Sequence, residues 1–69
     1  MAQVSELMIA HPEFQSFRQL EAAVIELAKG GEIFLEFDVK PEYPDTPRDW
    51  EWQLESVFYR AGKVRVEPR

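Results

Sequence analysis

Few side chains in this sequence could carry out chemistry. The chain contains one histidine, His11, and no cysteine, so a transition-metal site would need carboxylates from distant positions. The serine and threonine hydroxyls have no general base at a catalytic spacing. Gly30 and Gly31 follow a predicted helix, which is the wrong end of the helix dipole for binding phosphate. We therefore expect no enzymatic activity, no metal and no cofactor.

The length of the chain fits one domain with one small core. A chain of 69 residues buries roughly 60% of its surface on folding, and such a core seldom supplies more than about 3–5 kcal/mol. The hydrophobic fraction of 45% is enough for a folded domain, which we expect to span residues 1–69. The sequence has neither a long apolar run nor a basic leader, so we expect no membrane contact and a cytoplasmic location.

The net charge of −5 is unevenly distributed along the chain. Residues 32–55 hold eight acids against two bases, whereas residues 60–69 hold four bases against one acid. The acidic average argues against a broad nucleic-acid surface, because such a surface needs many cations to neutralise phosphates. Solvation of a small domain is the simplest explanation of the acidic stretch. A surface for a basic partner, a phosphate mimic and a weak divalent cation site are the functional alternatives.

One or two helices are predicted in the first half of the chain, the first of them only a turn or two long. Within residues 1–11, apolar residues recur at helical spacing, and Pro12 then disfavours helix at the residue before it. The second helix, over residues 14–29, has a capping-box pattern in Ser16 and Gln19, and a pair of glycines ends it. Its start could equally be Pro12, at the first helical position. Its apolar stripe consists of Phe17, Leu20, Val24, Leu27 and Ala28.

A strand is predicted at residues 32–39, where apolar and polar side chains alternate. The apolar face consists of Ile33, Leu35, Phe37 and Val39. The outward face consists of Phe34, Glu36 and Asp38. The next segment, residues 40–49, contains three prolines and is predicted to be a semi-rigid loop that exposes Tyr43.

Residues 50–60 fit two secondary structures. As a helix, the segment has a capped start at residues 46–49, with Pro47 at the first helical position, and ends at a capping glycine, Gly62. The helix would bury Trp50, Leu54, Val57 and Phe58. As a strand, the segment alternates with a period of two, which places both tryptophans on the buried face. The strand would bury Trp50, Trp52, Leu54 and Phe58.

Strand register favours the second interpretation. A three-residue loop at residues 60–62 puts Gly62 at the position that needs a positive φ. Val64 then lies on the same side as Trp52. A helix would instead leave Trp52 and Tyr59 on its polar side and leave only two strands, too few for a stable sheet. We therefore predict an α+β fold, with one or two N-terminal helices packed on a three-stranded antiparallel β-meander.

The outward face of this sheet is the predicted binding site. It combines an apolar end with carboxylates, which is the composition of a protein interface. We expect a small accessory or regulatory protein that acts by binding another protein and has no chemistry of its own. The predicted protein-binding residues of this face are Phe34, Glu36, Asp38, Glu51, Glu55, Val57 and Tyr59, and Tyr43 in the proline-rich loop is predicted as a second, weaker contact.

Two further partners follow from the same fold. A nucleic acid is the alternative, bound by the bases of the last hairpin while the acidic face looks away. These bases are Arg60, Lys63, Arg65 and Arg69. A homodimer is also predicted, formed by pairing of the sheet edges at residues 32–39 and 63–67, which the side chains do little to block, or by packing of the N-terminal helix, because the core is small.

Overall fold

The computed structural model describes the backbone of residues 2–66 and the side chains of residues 2–62. The elements in chain order are β1 (Ala2–Gln3), α1 (Val4–Ala10), α2 (Phe17–Lys29), β2 (Leu35–Glu36) and α3 (Trp50–Val66). The two strands pair in parallel, with Ala2 opposite Leu35. Each strand has only two residues, so the helices build most of the fold.

The predicted antiparallel meander is wrong. Residues 32–39 contribute only the two residues of β2, which pair with β1 rather than with residues 50–59. Residues 50–59 and the predicted loop at residues 60–62 lie within α3. The helix interpretation is correct for these residues, but both of its ends are wrong, because α3 begins at Trp50 rather than at Pro47 and Gly62 lies inside the helix. The described part of the chain is therefore a small mixed α/β fold of three helices and two short strands.

Packing against α2 explains why the last segment forms a helix. A helix places Trp50, Leu54 and Val57 on one side, because residues three and four apart are neighbours. Trp50 and Leu54 are buried, and Val57 and Phe58 pack against the same core. A strand would have needed a long neighbouring strand, and the described residues provide only the two-residue β1 and β2.

Both N-terminal segments with helical spacing form helices, although α2 begins at Phe17 rather than at residue 14 or at Pro12. The first, α1, ends immediately before His11 and Pro12. The second, α2, begins after Ser16, whose hydroxyl accepts the backbone N–H of Gln19 at 3.2 Å. The Gln19 side-chain oxygen accepts the backbone N–H of Ser16 at 3.2 Å, which completes the capping box.

The two glycines end α2 as predicted. Gly31 has a φ of 105°, in the left-handed region that favours glycine. Its N–H donates to the carbonyl of Ala28 at 3.1 Å, and the N–H of Glu32 donates to the carbonyl of Leu27 at 3.0 Å. This pair of hydrogen bonds is a Schellman motif, which satisfies the last carbonyls of the helix.

The hydrophobic core joins all three helices. Its buried cluster consists of Val4, Phe17, Leu20, Val24, Trp50 and Leu54. The ring of Phe37 meets the ring of Trp50 edge-on, with centroids 6.0 Å apart. Leu35 and Phe37 pack against this core, as predicted. Ile33 and Val39 are exposed, so the prediction that they are buried is wrong.

Two aspartates in the segment after β2 complete the N-termini of α1 and α2. Asp38 accepts the backbone N–H of Ser5 at 3.1 Å and also accepts the hydroxyl of Ser5. Asp45 accepts the backbone N–H of Phe17 at 2.6 Å and that of Arg18 at 3.3 Å. The Ser5 hydroxyl lowers the pKa of Asp38, and the Phe17 N–H lowers the pKa of Asp45. The segment after β2 thus holds two helices in place, α1 through Asp38 and α2 through Asp45.

Candidate protein-binding surface

The predicted binding residues lie in three separate places. Phe34, Glu36 and Asp38 lie in or beside β2, and Tyr43 lies in the loop before α3. Glu51, Glu55, Val57 and Tyr59 lie on α3. The single outward sheet face that was predicted to hold all of them except Tyr43 is wrong, because α3 is a helix and pairs with no strand.

The acidic residues near β2 have structural partners. Glu36 accepts a hydrogen bond from the Gln3 side-chain amide at 3.0 Å, across the β1–β2 pair. Asp38 caps α1, as described above. The ring of Phe34 is 61% exposed, and its carbonyl accepts the N–H of Ala2 at 3.1 Å. These acids therefore hold β1 and α1 against β2.

Tyr43 is half-buried rather than exposed. Its ring packs against the hydrophobic core, and burial raises the pKa of its hydroxyl. Its backbone N–H donates to the hydroxyl of Thr46 at 3.1 Å, and its carbonyl accepts the backbone N–H of Thr46 at 3.1 Å. This residue supports the turn that carries Asp45.

Three of the predicted residues share one side of α3. Glu51, Glu55 and Tyr59 follow each other at intervals of four, and all are exposed. Trp52 lies beside them, three residues before Glu55, and is 64% exposed, while Tyr59 is 63% exposed. Val57 packs against the core instead. We define Glu51, Trp52, Glu55 and Tyr59 as the outer face of α3.

Trp52 is the member of this face that the sequence analysis did not include. The strand pattern placed it in the core beside Trp50, but only Trp50 is buried, at 9% exposure. Residues two apart on a helix are more than half a turn apart, so only one of the two rings can face α2. The helix interpretation would have identified Trp52 as exposed, because it left Trp52 and Tyr59 on the polar side of the helix.

The basic residues of the predicted hairpin lie on or after the same helix. Arg60 is exposed on α3, and residues 60–62 are helical, so the hairpin is wrong. Lys63 and Arg65 belong to α3, and Arg69 lies outside the described residues. The predicted sheet edge at residues 63–67 is also wrong as far as it is described, because α3 continues to Val66.

An apolar groove lies between α1 and α2. It has a volume of about 540 Å³ and is lined mainly by Leu7, His11, Phe14, Ala22, Ala23 and Leu27. The imidazole of His11 stacks on the ring of Phe14, with centroids 4.6 Å apart. Among the described residues, no group of three or more histidine and acidic side chains could hold a metal ion.

No helix in the described part of the chain has the length and apolar character needed to cross a lipid bilayer. No family model, curated protein or solved structure matches this chain.

Proposed function

We propose that this chain is a small cytoplasmic interaction module that binds another protein through the outer face of α3 and has no chemistry of its own. The observation that carries the proposal is the exposure of two large aromatic side chains on that face. Trp52 is 64% exposed and Tyr59 is 63% exposed. They lie seven residues apart, about two helical turns, so both can contact one partner. Aromatic residues are frequent anchors of protein interfaces.

The exposure of Trp52 and Tyr59 supports a binding role because the opposite side of α3 already packs against the core. Trp50 and Leu54 already attach the helix to α2, so the fold does not need to bury Trp52 or Tyr59. A single exposed apolar residue is ordinary on a protein surface. Two aromatic rings on one helix face, beside two carboxylates, have the composition of an anchor with a polar rim.

The test uses a double variant of the face, Trp52→Ser with Tyr59→Ser. The matched control is Ile9→Ser with Ile33→Ser, which removes two apolar side chains that are 77% and 73% exposed on other parts of the fold. Each protein is immobilised and exposed to an extract of the cells that make it, and bound proteins are identified by mass spectrometry. We expect the wild type and the control to retain the same protein and the α3 variant to lose it. Thermal melts should remain similar for all three, because exposed substitutions usually change stability by about 0.5 kcal/mol or less.

Once a partner is identified, Tyr59→Ala alone should weaken binding by about 1 kcal/mol or more, measured by calorimetry. A partner that is retained equally by the α3 double variant would contradict the proposal. Capture of nucleic acid by the wild type would favour the nucleic-acid alternative instead. In that case, Arg60→Glu should abolish the capture, and added salt should weaken it steeply.

A further inference from the structure

The exposed ring of Trp52 lies on a stretch of α3 that carries Glu51 and Glu55, and the flanking exposed bases, Arg48 and Arg60, form no ion pair with either of them. Residues 49–59 contain three acids and neither lysine nor arginine. Glu55 lies one helical turn after Trp52, and Glu51 lies one turn before Glu55, so these three side chains form a triangle on the outer face. A partner that covers Trp52 must therefore also meet two negative charges.

Glu51 and Glu55 repel each other, and no positive charge of the described side chains offsets this repulsion by an ion pair. Glu51 and Glu55 are four residues apart on the helix, where like charges destabilise each other. Among the residues whose side chains the structure describes, no ion pair forms at either carboxylate. A cation from outside would relieve this repulsion, whereas a phosphate backbone would increase it.

We propose, as a refinement that rests on the function proposed above, that Trp52, Glu55 and Glu51 bind an arginine side chain in an extended basic segment of the partner protein. A guanidinium is planar, so it can stack on an indole face while its N–H groups donate to a neighbouring carboxylate. An ammonium is a compact charge that gains less from a flat ring. Tyr59, one turn beyond Glu55, offers a second exposed ring to the next residue of the segment.

The experiment uses the two tryptophans as probe and internal control. The intact protein is labelled with ¹⁵N and titrated with a blocked Gly-Arg-Gly-Arg-Gly peptide, and both indole N–H resonances are followed. A second peptide replaces each arginine with citrulline, which keeps the shape and removes the charge. We expect the arginine peptide to shift the Trp52 resonance and to leave that of Trp50, which faces α2, in place. The citrulline peptide should bind about five- to tenfold more weakly.

Two variants test the carboxylates. Glu55→Gln should weaken binding of the arginine peptide about threefold or more, whereas Glu6→Gln, an exposed acid on α1, should leave it unchanged. Raising the salt concentration from 0.05 to 0.5 M should weaken the same complex, because exposed charges are screened. Equal binding of the arginine and citrulline peptides, or no shift at Trp52, would overturn the inference.

The two proposals fail in different ways. If the Trp52 and Tyr59 double variant loses the protein captured from extract, but arginine and citrulline peptides bind alike, the face is an interface that does not select cations. If the double variant keeps that protein while the arginine peptide still shifts Trp52 selectively, the cation site stands and the proposed function falls.

Discussion

Replacing Gly62 with alanine should stabilise this protein. Gly62 lies inside α3, and in the described chain only Gly31 has a positive φ. A Cβ atom at residue 62 would lie 3.9 Å from the Cβ of Ala28 on α2, which is an ordinary van der Waals contact. Alanine would therefore fit without displacing α2.

The expected gain comes from the helix backbone. Glycine inside a helix is less favourable than alanine by roughly 0.5–1 kcal/mol, because glycine loses more conformational freedom on folding. For a domain of this size, that gain corresponds to a rise in Tm of roughly 2–8 °C. It is a measurable fraction of the total stability that a core of this size supplies, about 3–5 kcal/mol.

Gly31→Ala is the matched control. Its φ of 105° is unfavourable for alanine, although a Cβ there would meet no atom within 4 Å. We expect a loss of about 1 kcal/mol from backbone strain alone. Both variants are compared with the wild type by thermal and urea unfolding followed by circular dichroism. A fall in Tm for Gly62→Ala similar to that of Gly31→Ala would refute the helical placement of residue 62 and would restore the turn.

Three further measurements test the core, the helix termini and the cap. Trp50→Ala should lower the free energy of unfolding by about 3–5 kcal/mol, and Trp52→Ala should lower it by about 0.5 kcal/mol or less. In the wild type, iodide should quench the fluorescence of Trp52 only. Equal quenching of both rings would contradict the helix. Asp38 and Asp45 have lowered pKa values when folded, so their stabilisation is complete above about pH 4 and is lost as the pH falls through the folded values. Asp38→Asn with Asp45→Asn should therefore lower Tm at pH 7 and flatten its dependence on acid pH, and an unchanged acid profile would count against these caps. Ser16→Ala should lower stability by about 1 kcal/mol in urea unfolding, and no loss would mean that the capping box contributes little.

The two N-terminal helices could be predicted because their signals are local. Ser16 and Gln19 are three residues apart, and the glycines that end α2 follow its last residue directly. Such hydrogen bonds join residues only a few positions apart, so the residue types at those positions are enough to predict them. The caps from Asp38 and Asp45 could not be predicted in this way, because each acceptor lies far along the chain from its donor.

The last helix could not be decided from its own residues. Apolar side chains in residues 50–58 satisfy a period of two and a period near 3.6 at the same time. The strand interpretation then assumed a full neighbouring strand at residues 32–39, but only two residues there pair. The error moved Trp52 from the surface to the core. Glu51, Glu55 and Tyr59 were selected correctly as exposed residues, since both interpretations leave them facing outward.

The caps of α1 and α2 make the first half of the chain depend on the second half. Asp38 is 33 residues from Ser5, and Asp45 is 28 residues from Phe17. A synthetic peptide covering residues 1–31 would keep the capping box and the terminal glycines but would lack both aspartates and the face of α3. Isolated helices of this length are marginal in water. Such a fragment should therefore show little helical circular dichroism, and adding the complementary fragment, residues 32–69, should restore the signal only as the two pieces associate.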